Sequence, residues 1–188
     1  MTTSTLRALT HIGPGGSHWV ALRASICVLF PMLVLTATGH TSWCVYAAFG
    51  AFAGLYGRYR DYGDRVRMQA TAAVLLVAAV VTGTLTALGP DPRWMAVAGA
   101  AVWAGIGGVA TDAFDWHPPG SLFLVFAYAV CAAVPATPSS LLVALVVTSG
   151  AALLALLLGA SGALLPRSAP RSGSGPGSGL RYAVRRPG

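Results

Sequence analysis

Apolar residues in this chain come in six blocks, not at the spaced positions of a helix that shows one face to water. The blocks run from Trp19 to Thr38, Trp43 to Gly57, Ala70 to Leu88, Trp94 to Thr111, Ser121 to Val134 and Ser140 to Leu165. An α-helix rises about 1.5 Å per residue, so about 20 apolar residues cross the hydrocarbon layer of a bilayer. The second and fifth blocks are short, and a short span needs flanks that reach the interface. Turn and helix-start residues separate the blocks: Gly39-His40-Thr41-Ser42, Gly89-Pro90-Asp91-Pro92, His117-Pro118-Pro119-Gly120 and Pro135-Ala136-Thr137-Pro138. The pattern predicts an all-α integral membrane protein with a six-transmembrane-helix bundle over 19–165. Residues 1–18 form a cytoplasmic N-terminal segment and 166–188 a basic cytoplasmic tail. The first block is not read as a signal peptide, because five more apolar blocks follow it without a clean small-residue cleavage site.

Composition strengthens this reading. Of 188 residues, 55% are hydrophobic and only 9% charged, against about a quarter charged in soluble domains. So few charges cannot cover a water-facing surface, and the lipid bilayer is the expected partner. The net charge of +7 rests on 12 basic residues, all of them Arg. Their position between apolar blocks suits membrane topology and argues against nucleic acid as a partner.

Alternating the spans from an inside N-terminus puts Arg7, Arg23, Arg58, Arg60, Arg65, Arg67, Arg167, Arg171, Arg181, Arg185 and Arg186 on one side, and only Arg93 on the other. The positive-inside rule makes the first side cytoplasmic, so both termini lie inside. The Asp112–His117 loop carries no Arg and adds nothing to this orientation. Trp19, Trp43, Trp94 and Trp116 sit at span edges, as an aromatic belt would, whereas Trp103 falls mid-span, where its indole needs a partner or a cavity.

Candidate chemistry is sparse. Gly50, Gly54 and Gly57 share one face of the second span, and the Gly-xxx-Gly spacing suits close helix packing. Phe49, Phe52 and Tyr56 lie on an adjacent face, with Tyr46 above, and the short fifth span carries Phe123, Phe126 and Tyr128. If the bundle is a 3+3 inverted arrangement, the two short spans hold matched places, where transport sites occur. Two readings follow: an aromatic-walled cavity, extended by Trp103, or rings that simply pack on neighbours and lipid. Asp112, Asp115 and His117 are candidates for proton coupling; the plain alternative is an interfacial cluster already in water. Arg58, Arg60, Arg65 and Arg67 form a cytoplasmic basic loop able to gather organic anions, although topology alone accounts for them. Pro31 removes a backbone hydrogen bond inside the first span. Cys27, Cys44 and Cys131 have no metal-site or disulfide pattern. Nothing calls for a cofactor, and no enzyme constellation stands out.

Several stretches resemble a known family. They are Leu22-Arg23-Ala24 opening a Pro-containing span, the run from Tyr46 to Gly57 (YAAFGAFAGLYG), and His117-Pro118-Pro119-Gly120-Ser121-Leu122-Phe123 with Phe126-Ala127-Tyr128-Ala129. Together, over about residues 20–165, they resemble the membrane domain of the FUSC family, the fusaric acid resistance and aromatic acid exporter-like proteins. The resemblance implies a bacterial inner-membrane transporter that exports aromatic or other organic acids on a proton gradient. It also implies two membrane halves of about six spans. After the Pro/Gly/Ser-rich stretch Pro166–Gly179, the basic Leu180–Arg186 segment (LRYAVRR) reads as the lead-in to a second half. The expected partners are therefore an organic acid and either a second copy or a missing half. The other class of function that fits is a non-transporting membrane scaffold or assembly subunit.

Overall fold

The computed structural model describes residues 17–56, 62–114 and 121–161, and among them the secondary structure is helical with no strand. The α-helices are α1 (Ser17–Ala37), α2 (Cys44–Ala51), α3 (Tyr62–Ala87), α4 (Pro92–Phe114), α5 (Ser121–Ala133) and α6 (Pro138–Ser161). Tighter 3-10 turns flank α2, at Thr41–Trp43 and Phe52–Leu55.

Local chemistry sets the ends. Gly39 closes α1 with φ +78. Its N–H reaches the Thr36 carbonyl at 3.1 Å, and the His40 N–H reaches Leu35 at 2.8 Å. This paired arrangement favours glycine, because a Cβ strains a left-handed backbone. Pro138 occupies the first turn of α6, where a missing N–H costs nothing. Just before it, Thr137 N–H donates to Ser140 Oγ at 3.0 Å and Ser140 N–H returns to the Thr137 carbonyl at 2.8 Å.

Among the described residues three stretches are long and apolar enough to cross a membrane: Gly63–Ala87, Pro92–Ala113 and Pro138–Ala160. Ser25–Ala37, Thr41–Leu55 and Ser121–Ala133 are shorter apolar helices. At about 1.5 Å per residue, the 13 residues of α5 cover about 20 Å of a hydrocarbon layer about 30 Å thick. The six apolar blocks thus become six helices of two kinds. One boundary shifts more than the others. The third helix begins at Tyr62, two turns before the apolar block, so Arg65 and Arg67 lie on α3 and not in a loop. Hydropathy misses those turns because they are polar, while Asp64 in the first turn suits the positive end of the helix dipole.

The core does not follow chain order. α2 packs mainly on α6, and α5 packs on both α3 and α4. α1 leans on α2 and α6; α4 leans on α5 and α3; α3 and α6 pack on each other. The pattern is nearly unchanged when α1–α3 are exchanged with α4–α6. Outward faces are apolar: Leu29 and Leu33 on α1, Val97 and Val109 on α4, and Leu142 and Leu153 on α6 are all exposed. Such a surface suits hydrocarbon, not water.

Candidate functional site

The two short helices face each other through aromatic rings. Phe49 of α2 meets Phe126 of α5 edge-on, with centroids 6.2 Å apart. Phe52 meets Phe123 at 5.3 Å, and Tyr56 meets Phe123 at 6.3 Å. Phe49 and Phe52 also form an edge contact at 5.9 Å. These separations and tilts are the favourable range for ring quadrupoles. Phe49 and Tyr56 are buried, whereas Phe126 is 57% exposed. The seam therefore runs from the core to the outer surface of the bundle. α2 and α5 otherwise touch little, since each is held by a different long helix.

Backbone proximity does that holding. A Cβ on Gly50 would overlap the Thr148 carbonyl of α6 and sit 2.9 Å from Ala151 Cβ. A Cβ on Gly83 would likewise overlap the Tyr128 carbonyl of α5 and sit 3.0 Å from Cys131 Cβ. Gly54 is less constrained, with Ala155 Cβ at 3.4 Å. Thr148 adds a hydrogen bond to the Tyr46 carbonyl at 3.2 Å, so α2 and α6 are joined by packing and by a buried polar contact.

The remaining aromatic candidates take structural partners. The Tyr128 hydroxyl donates to the Met95 carbonyl at 3.0 Å and shares a hydrogen bond with Thr86 at 2.9 Å. Its ring fills the space that a side chain at Gly99 would need. Trp103 Nε1 donates to Thr82 Oγ1 at 3.1 Å, which meets the requirement of a mid-span indole without a cavity. Thr84 lies beside the side chains of Tyr46 and Cys131. The Thr82-Gly83-Thr84-Leu85-Thr86 stretch of α3 thus serves Trp103 of α4, Tyr46 of α2 and Tyr128 and Cys131 of α5. Each of the three hydroxyls also bonds the carbonyl four residues back, so none is left bare in an apolar setting.

A second polar cluster lies at the start of α3. Arg65 Nη2 donates to the Gly159 carbonyl in the last turn of α6 at 2.6 Å. A cation there opposes the negative end of the helix dipole. One turn on, Gln69 Nε2 donates to the Tyr56 carbonyl at 3.1 Å. Gln69 is only 1% exposed, and its Oε1 has no hydrogen-bond partner. That amide packs into the notch left by Gly159. The sequence reading passed over Gln69, although an amide on the shoulder of an apolar span was a usable signal.

Asp112 lies exposed near the end of α4. Asp115, His117, Gly57, Arg58 and Arg60 lie outside the described residues, as does Trp116. Arg67 is exposed on α3. Two apolar clefts open elsewhere. One of about 280 Å³ lies between α1 and α6, beside Pro31 and Gly150. The other, of about 530 Å³, lies between α3 and α4, beside Thr71 and Gly105. Neither is lined by the aromatic seam. Cys27, Cys44 and Cys131 form no disulfide among the described residues. Among the described residues no three His, Cys, Asp or Glu side chains gather as a metal site would require. No family model, no curated protein and no solved structure matches the chain.

Proposed function

We propose that the chain is a FUSC-like membrane transporter unit that moves aromatic or other organic acids out of a bacterial cell across the inner membrane. In this reading all six helices cross the bilayer, the short ones with help from their flanks, and both termini lie in the cytoplasm. Three spans per half is an odd number, so the two halves are inverted in the membrane. The observation that carries the proposal is the aromatic seam. It joins the two short helices at matched places in the two halves, as expected of a site between inverted repeats. Ring-to-ring contacts that bind two helices can be exchanged for contacts to an aromatic substrate at little net loss. The seam is then a closed form of the pathway. Arg67, with Arg58 and Arg60, draws anions to the inner side, and Asp112, Asp115 and His117 supply the proton-responsive groups. The unit works as a homodimer or beside a second membrane half.

The test is export of a labelled aromatic acid by cells that carry Phe52→Ala with Phe126→Ala. Export should fall several-fold at equal membrane levels of the protein. Unchanged export removes the seam from the pathway.

One observation favours a second reading, a scaffold or assembly subunit. Gly105 and Gly108 on α4 have open space where a side chain would sit. A helix of another protein can approach closely at such a surface. Deletion of the gene should then leave acid tolerance unchanged while a membrane complex loses a component.

A further inference from the structure

Packing divides the molecule differently from chain order. One bundle is α1, α2 and α6; the other is α4, α5 and α3. In each, the long third helix comes from the opposite half of the sequence. Gly50 against α6 locks the first bundle, and Gly83 against α5 locks the second, both by backbone approach that leaves no room for sliding. Between the bundles the contacts are of another kind. α3 lies along α6, and the aromatic rings of α2 and α5 meet at their edges. At the end where α3 begins, two side chains reach across. Arg65 takes the Gly159 carbonyl in the last turn of α6, and Gln69 takes the Tyr56 carbonyl just past the 3-10 turn that follows α2.

We infer that these two interleaved bundles are the rigid units of the protein, and that Arg65 and Gln69 are the latch that holds them together at one end. The two side chains stand one turn apart on α3, and both bind backbone carbonyls of the opposite bundle. The Gly159 carbonyl stands in the last turn of α6, where carbonyls lack a donor within the helix and can take one from outside it. The latch is incomplete in the closed form, because Gln69 Oε1 is buried without a donor. Parting of the bundles admits water to that oxygen, which lowers the cost of opening. A fully satisfied contact would lack this release. The inference stands on packing and does not depend on what, if anything, is transported.

Spin-label distances in liposomes test it. Labels carried by a ketone-bearing unnatural amino acid leave Cys27, Cys44 and Cys131 in place. Leu33, Val74, Leu153 and Val109 are exposed and tolerate a label. Leu33 with Leu153 (α1 to α6) and Val74 with Val109 (α3 to α4) each lie within a bundle but span the two sequence halves. Both should give single narrow distances. Leu33 with Val74 (α1 to α3) lies within one sequence half but between bundles, and should give a broader or double distribution. In Arg65→Met with Gln69→Leu, the minor Leu33–Val74 population should grow several-fold while the two within-bundle distances hold. Arg65→Lys alone, which keeps a cationic donor, should stay close to the parent. If the double variant does not fold, the three distances in the parent still decide the division into bundles, and Gln69→Leu alone tests the latch. A narrow Leu33–Val74 distance in both the parent and the latch variants overturns the inference. So does a Leu33–Leu153 distance that varies more than Leu33–Val74.

Discussion

The two halves of the chain have the same plan and reach it with different chemistry. In each, a first helix is followed by a short second helix beginning at Cys44 or Ser121, then by a long third helix. Residues 38–43 separate the first two helices in one half and 115–120 in the other. In each, the short helix packs against the long helix of the other half. The glycine that makes this contact possible, however, changes place. It lies on the short helix in α2–α6, as Gly50, and on the long helix in α3–α5, as Gly83. The outer helices differ as well. α4 is tied in by Tyr128 to the Met95 carbonyl and by Trp103 to Thr82. α1 meets α2 through sulfur contacts, Cys44 Sγ lying 3.9 Å from Thr36 Oγ1 and 4.0 Å from the Met32 carbonyl. A shared plan therefore depends on where close approach is needed, not on which helix supplies the small residue.

The largest effect should come from filling those approaches. Gly50→Ala and Gly83→Ala each put a Cβ onto a backbone carbonyl of the facing helix. Overpacking of this kind costs about 1–3 kcal/mol, and leucine should exceed that range. Unfolding in mixed detergent should show similar losses for the two alanine variants. Gly150→Ala, where nothing lies within 4 Å of the new atom, is the matched control and should be near neutral. A large loss at Gly50 with none at Gly83 would mean that only the first bundle depends on backbone contact.

A smaller effect should separate the outer helices. Tyr128→Phe removes the bonds to Thr86 and to Met95 while keeping the ring in its Gly99 notch. Buried hydrogen bonds between membrane helices are worth about 0.6 kcal/mol on average, up to about 1.7, so two of them predict a loss of about 1–2 kcal/mol. Thr36→Val on α1 loses one bond to its own helix and a weak sulfur contact. It should stay within about 0.5 kcal/mol of the parent, as outward-facing changes do. Equal losses from the two would erase the distinction between the outer helices.

Much of the helix layout was legible in the sequence, because apolar blocks and turn residues report helices directly. Proline, glycine and serine placed the start of α6 and the end of α1 to within a residue or two. The start of α3 was not legible, because its first turns are polar and hydropathy reads polarity as loop. Of the candidate site, the pairing of Phe49 and Phe52 with Phe123 and Phe126 could be anticipated from matched short spans. The roles of Tyr128 and Trp103 could not. Both looked like cavity walls, and what turns them into fasteners is a pair of threonines on another helix, Thr82 and Thr86. Helix partners chosen across the two halves leave no local trace, so neither the interleaved bundles nor the Arg65–Gln69 pair could be read from spacing.

The finest test of the comparison lies in one of those threonines. Thr82→Val keeps the shape of the side chain and removes the oxygen that receives the Trp103 indole. It also ends the back-bond from Thr82 to the Ala78 carbonyl, but that carbonyl keeps its helical donor. The stability change should be about 0.6 kcal/mol, the average for such bonds between membrane helices. Fluorescence gives a sharper reading than stability here. In a variant whose only tryptophan is Trp103, loss of the hydrogen bond should move the emission to shorter wavelength while the ring stays buried. An unchanged spectrum would show that the indole finds another acceptor when Thr82 is removed. The Trp103 tie would then not depend on Thr82, and the contrast with α1 would rest on the Tyr128 bond to the Met95 carbonyl.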